Sequence, residues 1–195
     1  MKKLLFILAI VLSVFFVYYN YISKQTLTKE RINYAISYCK SNNIKAKYII
    51  FVNFSIHSGK NRLFVYDIKN NKIILKSLCA HGNGLNSTNS TPIFSNVPGS
   101  HCSSLGFFKL GDFNYMSNNI PSYILHGLSS TNYNARVRQI LIHPYYSVSP
   151  VPIYPFYTDM NISNGCFVID AITFNKIVDI ANKNNNIILY SYIEN

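Results

Sequence analysis

The stretch YIIFVNFSIHSGKNRLFVYDIKNNKIILKSLC, residues 48–79, decides the fold class. It contains three runs that are rich in β-branched and aromatic side chains, which favour extended backbone. Asn70 and Asn71 separate the second run from the third, and Asn tolerates the positive φ of a tight hairpin turn. The stretch therefore predicts three strands, over Tyr48–Ile56, Arg62–Ile68 and Ile73–Cys79.

Helical patterns flank this strand-rich body. Residues 26–40 carry apolar side chains at helical spacing, with Thr26 as the predicted N-cap. Asp170 is the predicted cap of a second helix over Ile172–Lys183. Strands dominate, so the predicted class is mainly β with α additions (α+β). Two further short apolar runs predict strands over Gln139–His143 and Ile187–Ile193.

Two irregular segments interrupt the strands. Residues 81–106 are full of Gly, Ser, Asn and Pro, and a structureless connector of this length inside a compact domain is usually functional. Pro144–Thr158 contains four Pro and five aromatic residues. We expect this second segment to form an ordered, irregular flap.

The amino terminus reads as an export or anchoring signal. Lys2 and Lys3 precede a stretch, residues 4–19, that is apolar except for Ser13, which is the order that Sec-type export recognises. Bulky side chains stand where a cleavage site would need small ones, which favours an uncleaved anchor over a cleaved signal peptide. The positive-inside rule then puts the rest of the chain outside the cytoplasm, in the periplasm or on the outer face of the inner membrane. The predicted segments are a signal or anchor over 1–22, a helical lead-in over 23–47 and one domain over 48–195.

The chain is basic, with 18 Lys and Arg against seven Asp and Glu and a net charge of +11. Such a surface attracts nucleic acid, anionic lipid or an anionic cell wall. The lysines are dispersed, and there is no zinc-finger spacing, RNP-type motif or Arg-rich stripe, so no nucleic-acid partner is predicted. With 49% hydrophobic and 13% charged residues, the chain is not a disordered tail.

Four cysteines, at positions 39, 79, 102 and 166, would lie in an oxidising compartment after export. They allow three pairings, among which the sequence does not choose, and a pair between Cys79 and Cys102 stays open. No H-x-H, H-x-x-x-H or C-x-x-C spacing supports a metal site. No metal is therefore predicted.

The residues that carry chemistry gather at Ser163-Asn164-Gly165-Cys166. A thiol is a good acyl acceptor when a neighbouring base deprotonates it. Gly165 permits a sharp turn that presents the sulfur and aims backbone N–H groups at a developing oxyanion. His143 ends a predicted strand 23 positions earlier, so its imidazole and the Cys166 thiol can meet across two adjacent strands.

The chain from about residue 48 to residue 193 resembles the murein L,D-transpeptidase catalytic domain, in the YkuD-related branch. The matching pieces recur in the same order along the chain, and that shared order is more specific than any one of them. The pieces are Arg62–Asp67, Ala80–Gly82, Phe94–Ser100, Ser103–Phe107, Asn132–Ala135, Arg138 with Ile142 and His143, and Ser163–Cys166.

The resemblance implies a β-sandwich with an N-terminal helix and a helix before the last strand, and it implies roles for individual residues. Cys166 matches the nucleophile, His143 the general base, Ser163 the small hydroxyl residue three positions before the Cys, and Gly165 the residue whose backbone helps to form the oxyanion hole. A backbone carbonyl, rather than an Asp, usually orients the imidazole in this family. Candidate substrate contacts are Arg138, for a carboxylate unless it pairs with a buried partner, and His81, Ser104 and His126.

The implied reaction is acyl transfer on peptidoglycan stem peptides, which needs no metal and no organic cofactor. The thiolate would attack the carbonyl of the third stem residue, release the terminal D-Ala and leave a thioester; an amine acceptor would then give a 3→3 cross-link, whereas water would make the protein an L,D-carboxypeptidase. An inactive wall-binding protein and a cysteine peptidase of another fold are the alternatives. Departures from the family pattern are Asn164 before the Gly-Cys pair, Phe167 and Val168 after it, and Pro144 after the His.

Overall fold

The computed structural model describes residues 2–23, 27–184 and 186–194. It confirms the predicted mainly β class, since these residues form one eight-stranded sheet and three α-helices. The helices are α1 Lys2–Ser23, α2 Lys29–Ser41 and α3 Ala171–Lys183; the strands are β1 Tyr48–Asn53, β2 Leu63–Asp67, β3 Lys72–Ser77, β4 Gly106–Tyr115, β5 Pro121–Gly127, β6 Leu141–Pro144, β7 Phe167–Ile169 and β8 Ile187–Tyr192; a single 3₁₀ turn covers Met160–Ile162.

The sheet has the strand order β3-β2-β1-β8-β4-β5-β6-β7 and curls until its two edges meet. The pairs β1–β8 and β6–β7 are parallel, and the other neighbours are antiparallel. Ala80, just beyond β3, bridges to Val168 on β7, and the Ala80 N–H donates to the Val168 carbonyl at 2.8 Å. The two layers of the predicted sandwich are therefore parts of one continuous sheet.

The main core lies inside the curl. Phe108 of β4 and Phe167 of β7 are fully buried there, with ring centroids 5.5 Å apart. Helix α3 closes the core with Phe174 and Ile177. It begins as predicted, because Asp170 accepts a hydrogen bond from the Thr173 N–H at 2.8 Å. Burying a side chain such as Phe174 contributes roughly 1.5–3 kcal/mol to stability.

Helix α2 covers part of the outer face of the sheet. It starts at Lys29, and its N-cap is Thr28, whose hydroxyl accepts from the Arg31 N–H at 3.3 Å. The prediction of a cap at Thr26 is therefore wrong in position, and Thr26 itself lies outside the described residues. Thr28 is the residue that directly precedes the first turn of the helix.

The three strands predicted from residues 48–79 are confirmed, and so is the turn between the last two, where Asn71 has φ 51°. Three strands escaped prediction: β4, β5 and β7. The outer half of β4 extends past the end of β8 and is largely exposed, so it shows no apolar run. Strand β7 has only three residues, which is too short for a pattern.

Helix α1 coincides with the predicted export or anchoring segment. Large apolar side chains from Phe6 to Val17 are exposed along it. Across residues 2–23, 27–184 and 186–194, no helix combines the length and the apolar character that crossing a membrane requires.

Candidate active site

Of the predicted nucleophile–base pair, His143 lies on β6 and Cys166 lies immediately before β7. The two strands are parallel, and His143 stands opposite Val168 while Ile142 stands opposite Phe167. Ile142 and Phe167 point into the main core, so their neighbours His143 and Cys166 point to the outer face, because side chains alternate along a strand. The structure therefore brings the imidazole and the thiol onto one face of two adjacent strands.

The turn before Cys166 is held by the hydroxyl of Ser163. This hydroxyl donates to the Cys166 carbonyl at 2.7 Å and accepts from the Gly165 N–H at 3.2 Å. Gly165 has φ +108°, and a Cβ there would come within 2.6 Å of the Cys102 carbonyl oxygen. The turn thus needs glycine for its conformation and for the close approach of the neighbouring loop. Asn164 is exposed.

Two segments of the long loop 81–106 back this turn. The Gly82 N–H donates to the Ser103 hydroxyl at 2.9 Å, and that hydroxyl donates to the Gly165 carbonyl at 3.3 Å. The Asn83 N–H donates to the Ser163 carbonyl at 2.9 Å. The loop that the sequence identified as functional therefore braces the backbone that presents Cys166.

The Cys166 thiol is neutral and enclosed. The residue is only 9% exposed, and its S–H donates to the Gln139 carbonyl with a sulfur–oxygen distance of 3.7 Å. Burial raises the pKa of this thiol to about 11, and a backbone hydrogen bond from Leu141 and the positive charge of Arg138 offset part of that rise. An attacking thiolate would need a base to remove the proton.

His143 is suited to accept that proton. Its Nδ1 lies 3.1 Å from the Pro144 carbonyl, which can only accept, so Nδ1 carries the hydrogen and Nε2 keeps a free lone pair. Burial lowers the pKa of His143 below 6.5, and the contact with the Pro144 carbonyl acts in the opposite direction. The imidazole is therefore neutral at pH 7 and is oriented by a main-chain carbonyl, as the family resemblance implies.

The flap, residues 144–158, covers the thiol. Val148 is buried in a small cluster with Cys166 and Val168, and Tyr145 and Ile153 pack against that cluster. The far end of the flap is fastened to the loop after β1, the His57–Lys60 loop. The contacts are Ile153 and Tyr154 N–H to the Gly59 carbonyl at 2.8 and 3.0 Å, and the Thr158 hydroxyl to the Ser58 carbonyl at 2.7 Å.

The guanidinium of Arg138 is hydrogen-bonded to the long loop. Its guanidinium donates to the Ser95 carbonyl at 2.6 Å, to the Ser100 hydroxyl at 3.3 Å, and also to the Ser104 hydroxyl and the Cys102 carbonyl. The sequence left open whether Arg138 binds a substrate carboxylate or pairs with a buried partner, and these bonds match the second alternative. Its predicted contact with a substrate carboxylate stays a prediction.

His81 lies in the core rather than in an open cleft. It is fully buried, its Nδ1 is 3.0 Å from Nη2 of Arg62, and its Nε2 is 2.9 Å from the Thr88 carbonyl. Because arginine only donates, Nδ1 accepts and Nε2 carries the hydrogen. Burial, reinforced by the charge of Arg62, lowers the pKa of His81 to about 4.

Ser104 and His126 lie in two different surroundings. Ser104 is fully buried, and its hydroxyl donates to the Ser95 carbonyl at 2.9 Å. His126, on β5 opposite Lys109, lines a separate cavity of about 540 Å³ between the β4–β5 arm and the end of α3. The substrate contacts predicted for His81, Ser104 and His126 also stay predictions.

All four cysteines are free and buried, so the Cys79–Cys102 pair that the sequence left open is not formed. Within the described part of the chain, no three His, Cys, Asp or Glu side chains gather as the ligands of a metal ion would.

Sequence reasoning missed two contributors to the site. Gln139 receives the thiol hydrogen through a carbonyl that its positive φ of 54° helps to aim. Arg62 is a fully buried cation that donates to the Cys79 carbonyl at 2.6 Å and to His81. Arg62 opens the matched motif Arg62–Asp67, but the motif gave it no role, and only the packing shows what it binds.

A mainly β sheet with helices at each end of the chain is the fold class that the sequence predicted. A family model described as the L,D-transpeptidase catalytic domain matches residues 20–192. The chain therefore belongs to the L,D-transpeptidase catalytic domain family. No curated protein matches it.

Solved structures resemble the chain at low sequence identity. The helical cell shape determining protein Pgp2 from Campylobacter jejuni superposes with a TM-score of 0.50 at 16% identity, covering 78% of this chain and 50% of that one. An L,D-transpeptidase from Xylanimonas cellulosilytica gives a TM-score of 0.45 at 10% identity, covering 75% of this chain and 61% of that one. The chain thus spans half to three fifths of the length of these relatives, and the likeness to Pgp2 concerns the fold alone.

Proposed function

We propose that the protein is a peptidoglycan L,D-transpeptidase that uses Cys166 as its nucleophile. The observation that carries the proposal is the position of Cys166 and His143 on one face of β6 and β7, with the Nδ1 hydrogen of His143 held by the Pro144 carbonyl. Nε2 then has a free lone pair on the side chain that shares a face with the thiol. Family membership supports a peptidoglycan substrate.

In the proposed reaction, the Cys166 proton passes to Nε2 of His143 as the sulfur attacks the carbonyl of the third stem residue. The tetrahedral intermediate collapses, the bond to the terminal D-Ala breaks, and the imidazolium returns the proton to the leaving amine. A thioester remains on Cys166. An amine of a second stem then attacks the thioester, gives a 3→3 cross-link and regenerates the thiol; water at the same step would give a tripeptide.

The proposed roles of Ser163 and Gly165 are to hold the sulfur and the adjacent backbone in place. Ser163 bonds both the Gly165 N–H and the Cys166 carbonyl. A donor that is rigid before the reaction stabilises a developing oxyanion without reorganisation. Release of the Cys166 thiol from the flap is a further requirement, because the residue is 9% exposed.

The proposed location is the cell envelope, reached by export through the basic and apolar segment over residues 1–22. The cationic chain, with a net charge of +11, suits an anionic wall. N-terminal sequencing of the protein isolated from cells distinguishes cleavage from retention of this segment. An intact amino terminus on cytoplasmic protein would contradict export.

The experiment that tests the activity is incubation with tetrapeptide-rich peptidoglycan followed by mass analysis of the muropeptides. We expect new 3→3 dimers from the unsubstituted protein and none from Cys166→Ala. Tripeptides without dimers would identify an L,D-carboxypeptidase. An unchanged muropeptide profile together with binding to purified sacculi would identify an inactive wall-binding protein and refute the proposal.

A further inference from the structure

A groove of about 370 Å³ opens on the same face of the sheet as Cys166. Its floor includes Leu141 of β6 and Ile124 of β5, which stand opposite each other in the β5–β6 ladder. The groove is bounded on one side by the tip of the β4–β5 arm and on the other by the loop before β6. Its lining includes Asn114, Ser122, Ile124, Arg136, Gln139 and Leu141.

The groove shares two lining residues, Leu141 and Gln139, with the surroundings of the thiol. Leu141 packs against the cluster that contains Cys166, and a backbone hydrogen bond from Leu141 acts on the Cys166 sulfur. The carbonyl of Gln139, another lining residue, accepts the hydrogen of the thiol at 3.7 Å. Neighbouring strands lie about 4.8 Å apart, so a peptide whose carbonyl reaches the sulfur can continue directly over Leu141 and Ile124.

Arg136 is the charged residue in the groove lining. Its side chain is exposed, and among the described residues its guanidinium makes no hydrogen bond or ion pair. None of the described residues that line the groove is acidic. A guanidinium in this setting is free to bind a carboxylate through two parallel hydrogen bonds.

Arg138, two positions further along, differs in each of these respects. It is partly buried, and both of its terminal nitrogens already donate to residues of the loop 95–104. Binding a substrate carboxylate through Arg138 would require those bonds to break. The two arginines therefore have different surroundings. Arg138 is bonded to the loop 95–104, and Arg136 faces the groove.

We infer that the groove binds the end of the donor stem peptide and that Arg136 holds the carboxylate of its terminal D-Ala. The inference rests on the proposed function, because it assigns the leaving-group subsite of that reaction. The carboxylate lies one residue beyond the carbonyl that the sulfur attacks, and the groove that holds Arg136 also contains Gln139, whose carbonyl contacts the thiol. Arg136 is then a residue that sets specificity for stems with a free carboxyl end.

The test is a binding measurement on the full chain carrying Cys166→Ala, so that no turnover is needed. The probes are a synthetic tetrapeptide stem that ends in D-Ala and the same peptide with a terminal carboxamide, titrated by calorimetry. We expect Arg136→Gln to weaken binding of the free acid on the order of 10- to 100-fold, the range for a hydrogen-bonded charge. The carboxamide should bind about equally weakly with and without Arg136→Gln. The affinity of the free acid for Arg136→Lys should fall between its affinities for the chain with Arg136 and for Arg136→Gln.

The matched control is Lys176→Gln, which removes an exposed positive charge from α3 and should leave both affinities unchanged. Equal affinity of the free acid for the chains with and without Arg136→Gln would overturn the inference. So would a preference for the free acid that survives Arg136→Gln, or no binding of the free acid at all. Failure of the proposed reaction would instead leave these affinities in place while the unsubstituted protein forms no dimers or tripeptides.

Discussion

The side chains of His143 and Cys166 share one face of the parallel pair β6–β7, with Leu141 beside the sulfur and the flap above it. The imidazole is neutral with its free nitrogen at Nε2, and the thiol is neutral with its hydrogen directed at Gln139. This is a resting state in which neither partner is charged. Opening of the flap and arrival of a substrate would be needed before the proton moves.

Removing the proposed base should slow acylation and leave the fold intact. His143→Gln keeps a polar side chain of similar size but cannot accept the thiol proton. Positioned acid–base groups typically contribute 10²- to 10⁴-fold, so we expect the rate of thioester formation to fall by about that factor. Intact-mass kinetics with a carbapenem or a tetrapeptide stem measures it, and far-UV circular dichroism checks the fold. Acylation at the unsubstituted rate would contradict the role of His143.

The neutral resting pair predicts a particular pH dependence of thiol reactivity. The pKa of Cys166 is about 11, so the thiolate fraction rises tenfold per pH unit across neutrality. Alkylation of Cys166 by iodoacetamide should therefore increase steadily from pH 6 to pH 10, with Cys166→Ala as the background for the other three cysteines. A plateau beginning near pH 7 would indicate a preformed thiolate–imidazolium pair and contradict the neutral state.

Gly165 should tolerate alanine much less well than Gly99. Both have positive φ, +108° and +78°, but a Cβ at Gly165 would lie 2.6 Å from the Cys102 carbonyl oxygen whereas nothing lies within 4 Å of one at Gly99. We expect Gly99→Ala to cost about 1 kcal/mol of unfolding free energy from strain alone. Gly165→Ala should cost more and should also displace Cys166, lowering the acylation rate. Urea unfolding measures the loss of unfolding free energy in each variant. Equal losses for Gly99→Ala and Gly165→Ala would argue against the close approach.

The fastening of the flap should control access to the thiol. Thr158→Val removes the hydroxyl that donates to the Ser58 carbonyl at 2.7 Å, whereas Thr158→Ser keeps it. Losing a buried hydrogen bond costs roughly 1–3 kcal/mol, so the open flap should become more populated in the first variant. We expect Cys166 to be alkylated at least several-fold faster in Thr158→Val and near the original rate in Thr158→Ser. Equal rates in both variants would show that the flap does not limit access.

Acid should destabilise the fold through His81. Its pKa is about 4 in the folded chain against an ordinary 6.5, so between these values the unfolded chain binds a proton that the folded chain does not. Stability therefore falls as the pH falls through this window, by up to about 3 kcal/mol from this residue. His81→Asn keeps an acceptor for Arg62 and should show a shallower loss. Urea unfolding from pH 7 to pH 4 measures both slopes, and identical slopes would refute the assignment.

Much of the fold was predictable because its signals are local. The runs over residues 48–79 alternate with turn residues whose conformations Asn favours, and the predicted hairpin has its positive φ at Asn71. The cap at Asp170 likewise depends on neighbours three positions away. Strand β7 was not predicted because three residues carry no pattern. The outer half of β4 was not predicted because it projects beyond its partner strand and stays exposed.

The amino-acid sequence predicted the class, most of the strands and the two residues, His143 and Cys166, whose chemistry defines the candidate site. The packing of the folded chain put both side chains on the outer face, because their placement depends on the register between strands more than twenty residues apart. It also separated Arg138, bound to the loop 95–104, from Arg136, which faces the groove. Two arginines two positions apart look alike in a sequence, and their surroundings distinguish them only once distant segments have packed together.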